Sequence, residues 1–153
     1  MKRPFLNFNL HSILNLIPHR YPFLLIDRIL SYKNQNSIRV LKNISLNDPL
    51  LQGHFPSKFI FPGVLTIESI SQSAIALSLL NHPEHNHAHG IYCIIGIEKT
   101  RFKKFIIPGD QLIITVTIKK EYKNLFFFKG YVHVNNDLVC YTNIICKYVV
   151  NIL

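Results

Sequence analysis

Four residues in the stretch from Gln52 to Gln72, QGHFPSKFIFPGVLTIESISQ, have types and spacing that could do acid–base chemistry together: His54, Gly63, Glu68 and Gln72. An imidazole takes or gives a proton near neutral pH. Glu68 is the only formally charged residue between Lys58 and Glu84, in a segment otherwise built from Val64, Leu65, Ile67, Ile70, Ala74, Ile75, Leu77, Leu79 and Leu80. A helix that is apolar over most of its circumference is normally a buried one. A carboxyl on it must be paired, neutralised or turned toward a functional cavity.

The local wording suggests how these groups are held. Gly53-His54-Phe55-Pro56 reads as a turn in which glycine tolerates unusual backbone angles and proline fixes its own φ, placing His54 on a stiff frame. Pro62-Gly63 reads as a helix start. With no Cβ at Gly63, a ligand carbonyl can approach its N–H, where the helix dipole favours developing negative charge. Glu68 and Gln72 stand four apart and share a helix face, so Gln72 is a candidate to orient the carboxylate. A base, an acid and an anion site therefore fall within about twenty residues.

Three of these residues, His54, Glu68 and Gly63, also have a structural explanation. A histidine beside Gly and Pro is often a hydrogen-bonded loop residue, a helical Glu can be an ion-pair partner, and Gly63 can serve only a tight turn. Arg101, Lys103 and Lys104 read first as a solvated strand end. Tyr21 and Tyr92 read first as packing aromatics.

The elements that position this stretch can be taken in chain order. Ser12 is expected to cap a short helix over Ile13 to Ile17 that Pro18 stops. Pro22 to Tyr32 reads as a mostly buried strand, paired across the KNQN turn with Ser37 to Ser45. The central helix is expected to end near Asn81, ahead of Pro83. Ile91 to Phe105, Gln111 to Tyr122 and Leu125 to Val150 read as β-rich, the last broken near Asn135-Asn136-Asp137. Two strands, one long apolar helix and four strands imply an α+β arrangement, an antiparallel sheet wrapped around a helix.

The 153 residues fit a single domain, 1–153, which can bury roughly 70% of its unfolded surface without disulfide or metal. Cys93, Cys140 and Cys146 are odd in number and lack CxxC spacing, so they read as reduced packing residues in a cytoplasmic protein. No window approaches eighteen uninterrupted apolar residues, and no membrane insertion is expected. The clustered His82, His85, His87 and His89 lack the ligand spacing of a structural zinc site and read as a solvated connection, with no metal. Seventeen Lys and Arg against eight Asp and Glu give a net charge of +9. That excess attracts a polyanion or an acidic protein, although abundant Lys, Asn and Ile also fit AT-biased coding.

QGHFP, IFPGVL and the ES-SQ pattern, with HRYPFLLIDR at His19 to Arg28 and RFKKFIIPGD at Arg101 to Asp110, resemble the bacterial 3-hydroxyacyl-acyl carrier protein dehydratases of the FabZ family. The resemblance runs roughly from Ile13 to Cys146. It implies the hot-dog fold and dehydration of a (3R)-3-hydroxyacyl thioester on acyl carrier protein to the trans-2-enoyl thioester, in type II fatty acid biosynthesis. It further implies His54 as the base at C2, Glu68 as the acid at the 3-hydroxyl, and the Gly63 N–H as donor to the thioester oxygen. Arg101, Lys103 and Lys104 are candidates for docking the acidic carrier. No metal or organic cofactor is called for. A homodimer that shares its active sites is the minimal unit implied, with a hexamer as a trimer of dimers.

Within the fold, a dehydratase that also isomerises typically has Asp where Glu68 stands, and a hot-dog thioesterase would use water as nucleophile. A non-catalytic acyl-carrier or nucleic-acid-binding module is the alternative from another class. Such a binder would interleave aromatics with basic residues on one exposed sheet face. Phe126, Phe127 and Phe128 run consecutively instead, and no nucleic-acid partner is expected.

Overall fold

A computed structural model describes residues 8–86 and 88–150, so residues 1–7, His87 and residues 151–153 lie outside the described residues. The chain runs α1 (Leu10–Leu16), β1 (Arg28–Lys33), β2 (Ser37–Asn43), a 3-10 turn (Pro49–Leu51) and α2 (Gly63–Asn81). It continues through β3 (Gly90–Phe102), β4 (Gln111–Tyr122), β5 (Leu125–Val134) and β6 (Asp137–Val150). The strands form one antiparallel sheet in the order β1-β2-β4-β5-β6-β3. This is the expected α+β wrap of a sheet around one long helix.

Alternation decides which strand residues meet α2. Leu112, Ile114 and Val116 of β4, Phe126, Phe128 and Val132 of β5, and Ile144 and Cys146 of β6 are buried with Ile70, Ala74 and Leu77 of the helix. Helix and sheet approach closely at Gly130, where a Cβ would collide with the Ile70 side chain. By length and apolar composition α2 would also pass as a membrane span, but the sheet and its flanking segments bury most of it. Two of its buried hydroxyls are satisfied within the helix, Ser69 Oγ donating to the Leu65 carbonyl and Ser73 Oγ to that of Ser69.

Three expectations need correction. Asn9, not Ser12, caps α1: its side chain accepts from the Ser12 N–H at 3.1 Å. The strand expected from Pro22 begins only at Arg28. Leu25 and Ile26 are fully buried, but the Leu25 N–H donates to the Gln72 side chain at 2.8 Å and not to a neighbouring strand. The histidine connection is not simply solvated. His85 stacks on Tyr148 at 4.1 Å and hydrogen-bonds the Tyr92 hydroxyl at 2.7 Å, while His82 lies against Glu84 and Glu121. Among the described residues no three His, Cys, Asp or Glu side chains converge as a metal site.

Candidate active site

His54 sits on a loop clamped by its own backbone. Its N–H donates to the Leu51 carbonyl at 3.0 Å, and its carbonyl accepts from the Ile60 N–H at 2.9 Å. The Ile60 carbonyl in turn lies 2.8 Å from His54 Nδ1. A carbonyl can only accept, so Nδ1 carries a proton and, in the neutral ring, Nε2 holds the lone pair. That is the tautomer of a general base. The ring also stacks on Phe55 with centroids 4.2 Å apart.

The cavity beside His54 has a volume of about 350 Å³ and is lined mainly by apolar groups, among them Phe61, Val64, Phe102, Ile106 and Val139. Gly63 lines it too, at the first position of α2, where a backbone N–H has no intrahelical acceptor. More than a tight turn selects glycine here. A Cβ would lie 2.8 Å from Cε1 of Phe102, so the missing side chain admits that ring against the helix start.

Glu68 lies deeper along α2 and is not among the residues lining the His54 cavity. Its Oε1 accepts from Gln72 Nε2 at 2.9 Å and lies 3.5 Å from His19 Nε2. At that distance the His19–Glu68 contact has the reach of an ion pair, yet burial acts against charge on both partners. Desolvation raises the Glu68 pKa above its ordinary value, only partly opposed by the Gln72 hydrogen bond. Desolvation, reinforced by the Arg20 charge, lowers that of His19. Burial thus shifts both partners toward their neutral forms, and a carboxyl that holds its proton more tightly than usual is suited to act as an acid.

Gln72 is fully buried and saturated. Besides Glu68, Nε2 donates to the Phe23 carbonyl at 2.8 Å, and Oε1 accepts from the Leu25 N–H at 2.8 Å. It ties the Phe23–Leu25 segment to the helix and holds the carboxyl by the same amide. These contacts place its amide between Glu68 and the Phe23–Leu25 segment.

Arg101, Lys103 and Lys104 are exposed at the end of β3 and just beyond it. Lys104 lines the His54 cavity and donates to Asp137 at 2.6 Å, and the Arg101 guanidinium donates to the Thr100 carbonyl. His19 is the site neighbour that sequence reasoning did not single out. Forty-nine positions separate it from Glu68, and no periodicity connects them. Its only sequence signal was its place in HRYPFLLIDR.

The fold is that of the hot-dog proteins. Similar solved structures include a dehydratase heterocomplex from Xenorhabdus doucetiae (TM-score 0.77, 16% identity, 90% of each chain covered) and a mutant thioesterase from Pseudomonas aeruginosa (TM-score 0.69, 9% identity, 94% of this chain and 95% of that one). At such identities the likeness is one of fold alone. Residues 17–143 match the FabA-like domain family. Relatives named 3-hydroxyacyl-acyl-carrier-protein dehydratase FabZ are 48% identical over 138 residues in Buchnera aphidicola of Schizaphis graminum, with 90% of each chain covered. In Idiomarina loihiensis the match is 41% over 139 residues, covering 91% of this chain and 92% of the relative. The chain belongs to the FabZ family of 3-hydroxyacyl-acyl-carrier-protein dehydratases.

Proposed function

We propose that this chain, one domain over residues 1–153, dehydrates (3R)-3-hydroxyacyl-acyl carrier protein to the trans-2-enoyl thioester in type II fatty acid biosynthesis. The observation that carries the reading is the tautomer of His54, whose Nδ1–H is committed to a carbonyl while Nε2 stays free to accept a proton. Nε2 takes the C2 proton. The electrons of that bond form the C2–C3 double bond as the C3–O bond breaks, and the departing hydroxyl takes a proton from neutral Glu68 to leave as water. Negative charge building on the thioester oxygen is met by the Gly63 N–H at the start of α2. The cavity beside His54 suits the substrate's apolar atoms.

Both groups are drawn from a dimer in this reading, His54 of one chain facing Glu68 of its partner. Support comes from the separation of the His54 cavity from the Glu68 cluster within one chain. Further support comes from β3, an edge strand that exposes Ile91, Ile95, Ile97 and Phe102, with Val64 exposed at the helix start. Apolar side chains along an unpaired edge suit a strand-to-strand contact between copies. A trimer of such dimers is the larger assembly that family resemblance suggests. Lys104 at the cavity, with Arg101 and Lys103 exposed close by in the chain, suits an acidic carrier. A cytoplasmic location suits Cys140 and Cys146, free thiols whose burial pushes them up to about 11 and about 12.

Mixing tests the reading. Wild type should generate enoyl absorbance from a 3-hydroxyacyl thioester, and its absence would remove the dehydratase assignment. Verified heterodimers of His54→Ala and Glu68→Gln should recover roughly half the wild-type dimer activity, because one of two equivalent sites is intact. No recovery would place both groups in one chain.

A further inference from the structure

A groove of about 680 Å³ lies on the sheet face turned away from α2, and it shares no lining residue with the His54 cavity. The three consecutive phenylalanines separate here. Phe126 and Phe128 are buried toward the helix, whereas Phe127 looks outward with Lys129 and Tyr131, because side chains alternate along a strand. Aromatic and basic residues therefore interleave on one face, and the premise for expecting no nucleic-acid partner fails.

Neighbouring strands extend the pattern. Phe127 stands opposite Lys120 and Ile145, Lys129 opposite Asn143, and Tyr131 opposite Tyr141. Four lysines, Lys99, Lys119, Lys120 and Lys129, line the groove against one carboxylate, Glu98. The Lys129 ammonium lies 5.1 Å from the Tyr131 ring centre and that of Lys120 lies 5.9 Å from Phe127. Exposed cation–π contacts of this kind are weak, so a phosphate can compete with the rings for these ammonium groups.

The charge identifies the class of occupant. A second copy docking through the same face would bring like charges together, which disfavours self-association there. An acidic peptide would satisfy the lysines but leave three aromatic rings without a use. Single strands satisfy both, with phosphates on the cations and bases on the rings.

We propose that this outer groove binds single-stranded nucleic acid, independently of the dehydratase site. Fluorescence anisotropy with a labelled twelve-nucleotide oligo(dT), a duplex of equal length and labelled heparin tests it. Oligo(dT) should bind more tightly than the duplex, and its affinity should fall with salt. Combined Lys119→Glu, Lys120→Glu and Lys129→Glu should abolish that binding. Tyr131→Ala with Tyr141→Ala should weaken oligo(dT) by roughly tenfold or more while leaving heparin binding unchanged. Dehydratase turnover should be retained in both variants, reporting an intact fold. Equal affinity for strand and duplex, insensitivity to the lysine reversals, or parallel loss of heparin in the tyrosine variant would overturn the proposal. So would reversals that change only the oligomeric mass, which would make the face a contact between copies.

Discussion

The two groups proposed to move protons are held in opposite ways. His54 is oriented by main-chain partners, the Leu51 and Ile60 carbonyls and the Ile60 N–H, all within one short loop. Glu68 is oriented by side chains, Gln72 on its own helix and His19 from a distant segment, and its protonation is governed by burial. A base needs one lone pair aimed and left free, which a local backbone frame can supply. An acid that must stay protonated near neutral pH needs desolvation, and only packing from several segments supplies that. The base should therefore tolerate changes elsewhere in the molecule, while the acid should respond to its neighbours.

Removing each group sets the scale. His54→Ala and Glu68→Gln should each lower turnover by roughly a hundredfold or more with the fold intact, as measured by enoyl absorbance and circular dichroism. Near-normal turnover in a folded variant would remove that residue from its role.

A smaller effect separates the two modes of support. Gln72→Met keeps the helix apolar but deletes the donor to Glu68 and leaves the Phe23 carbonyl and Leu25 N–H unpaired. Turnover should fall about tenfold, the size of a lost hydrogen bond to a positioned group. The alkaline limb of the pH–rate profile should move to higher pH, because the bond from Gln72 lowers the Glu68 pKa. A rate loss with an unmoved profile would make Gln72 a packing residue only.

The smallest effect is thermodynamic. Glu68 has its pKa raised by folding, so the folded state binds its proton more tightly than the unfolded chain does. The carboxyl is neutral in both states at low pH and contributes no difference there. As pH climbs above the unfolded value, near 4.5, toward the raised folded value, ionisation favours unfolding. Glu68→Gln lacks this penalty. Its melting temperature relative to wild type should rise across that window and level off above it, and a pH-independent difference would show that burial does not perturb Glu68.

Much of the architecture could be read locally. Pro62-Gly63 and Pro83 bracket α2, which spans Gly63–Asn81, and Gly109-Asp110 and Lys123-Asn124 bracket β4 at Gln111–Tyr122. Turn and cap chemistry is local, so such boundaries are written where they occur. Pro22 to Asp27 failed for the converse reason. An apolar run reports burial and does not name its hydrogen-bond partner, and here the partner is the Gln72 amide on another element.

The sequence by itself placed a lone carboxyl at Glu68 on an apolar helix with Gln72 on the same face, a histidine at His54 in a turn and a glycine at Gly63 at the helix start, because each of these is a local fact. It also determined the strand count and the excess of positive charge. Tertiary structure alone decided that Nδ1 of His54 meets the Ile60 carbonyl, that His19 stands at Glu68, and that Phe127 faces away from the helix while its neighbours face it. The first depends on how one loop folds back on itself, the second on which segments pack together, and the third on strand register, where a shift of one residue reverses every side chain. Charge and composition are sums over the chain, whereas a tautomer, a raised carboxyl pKa and an exposed face are properties of neighbours that only folding brings within a few ångströms.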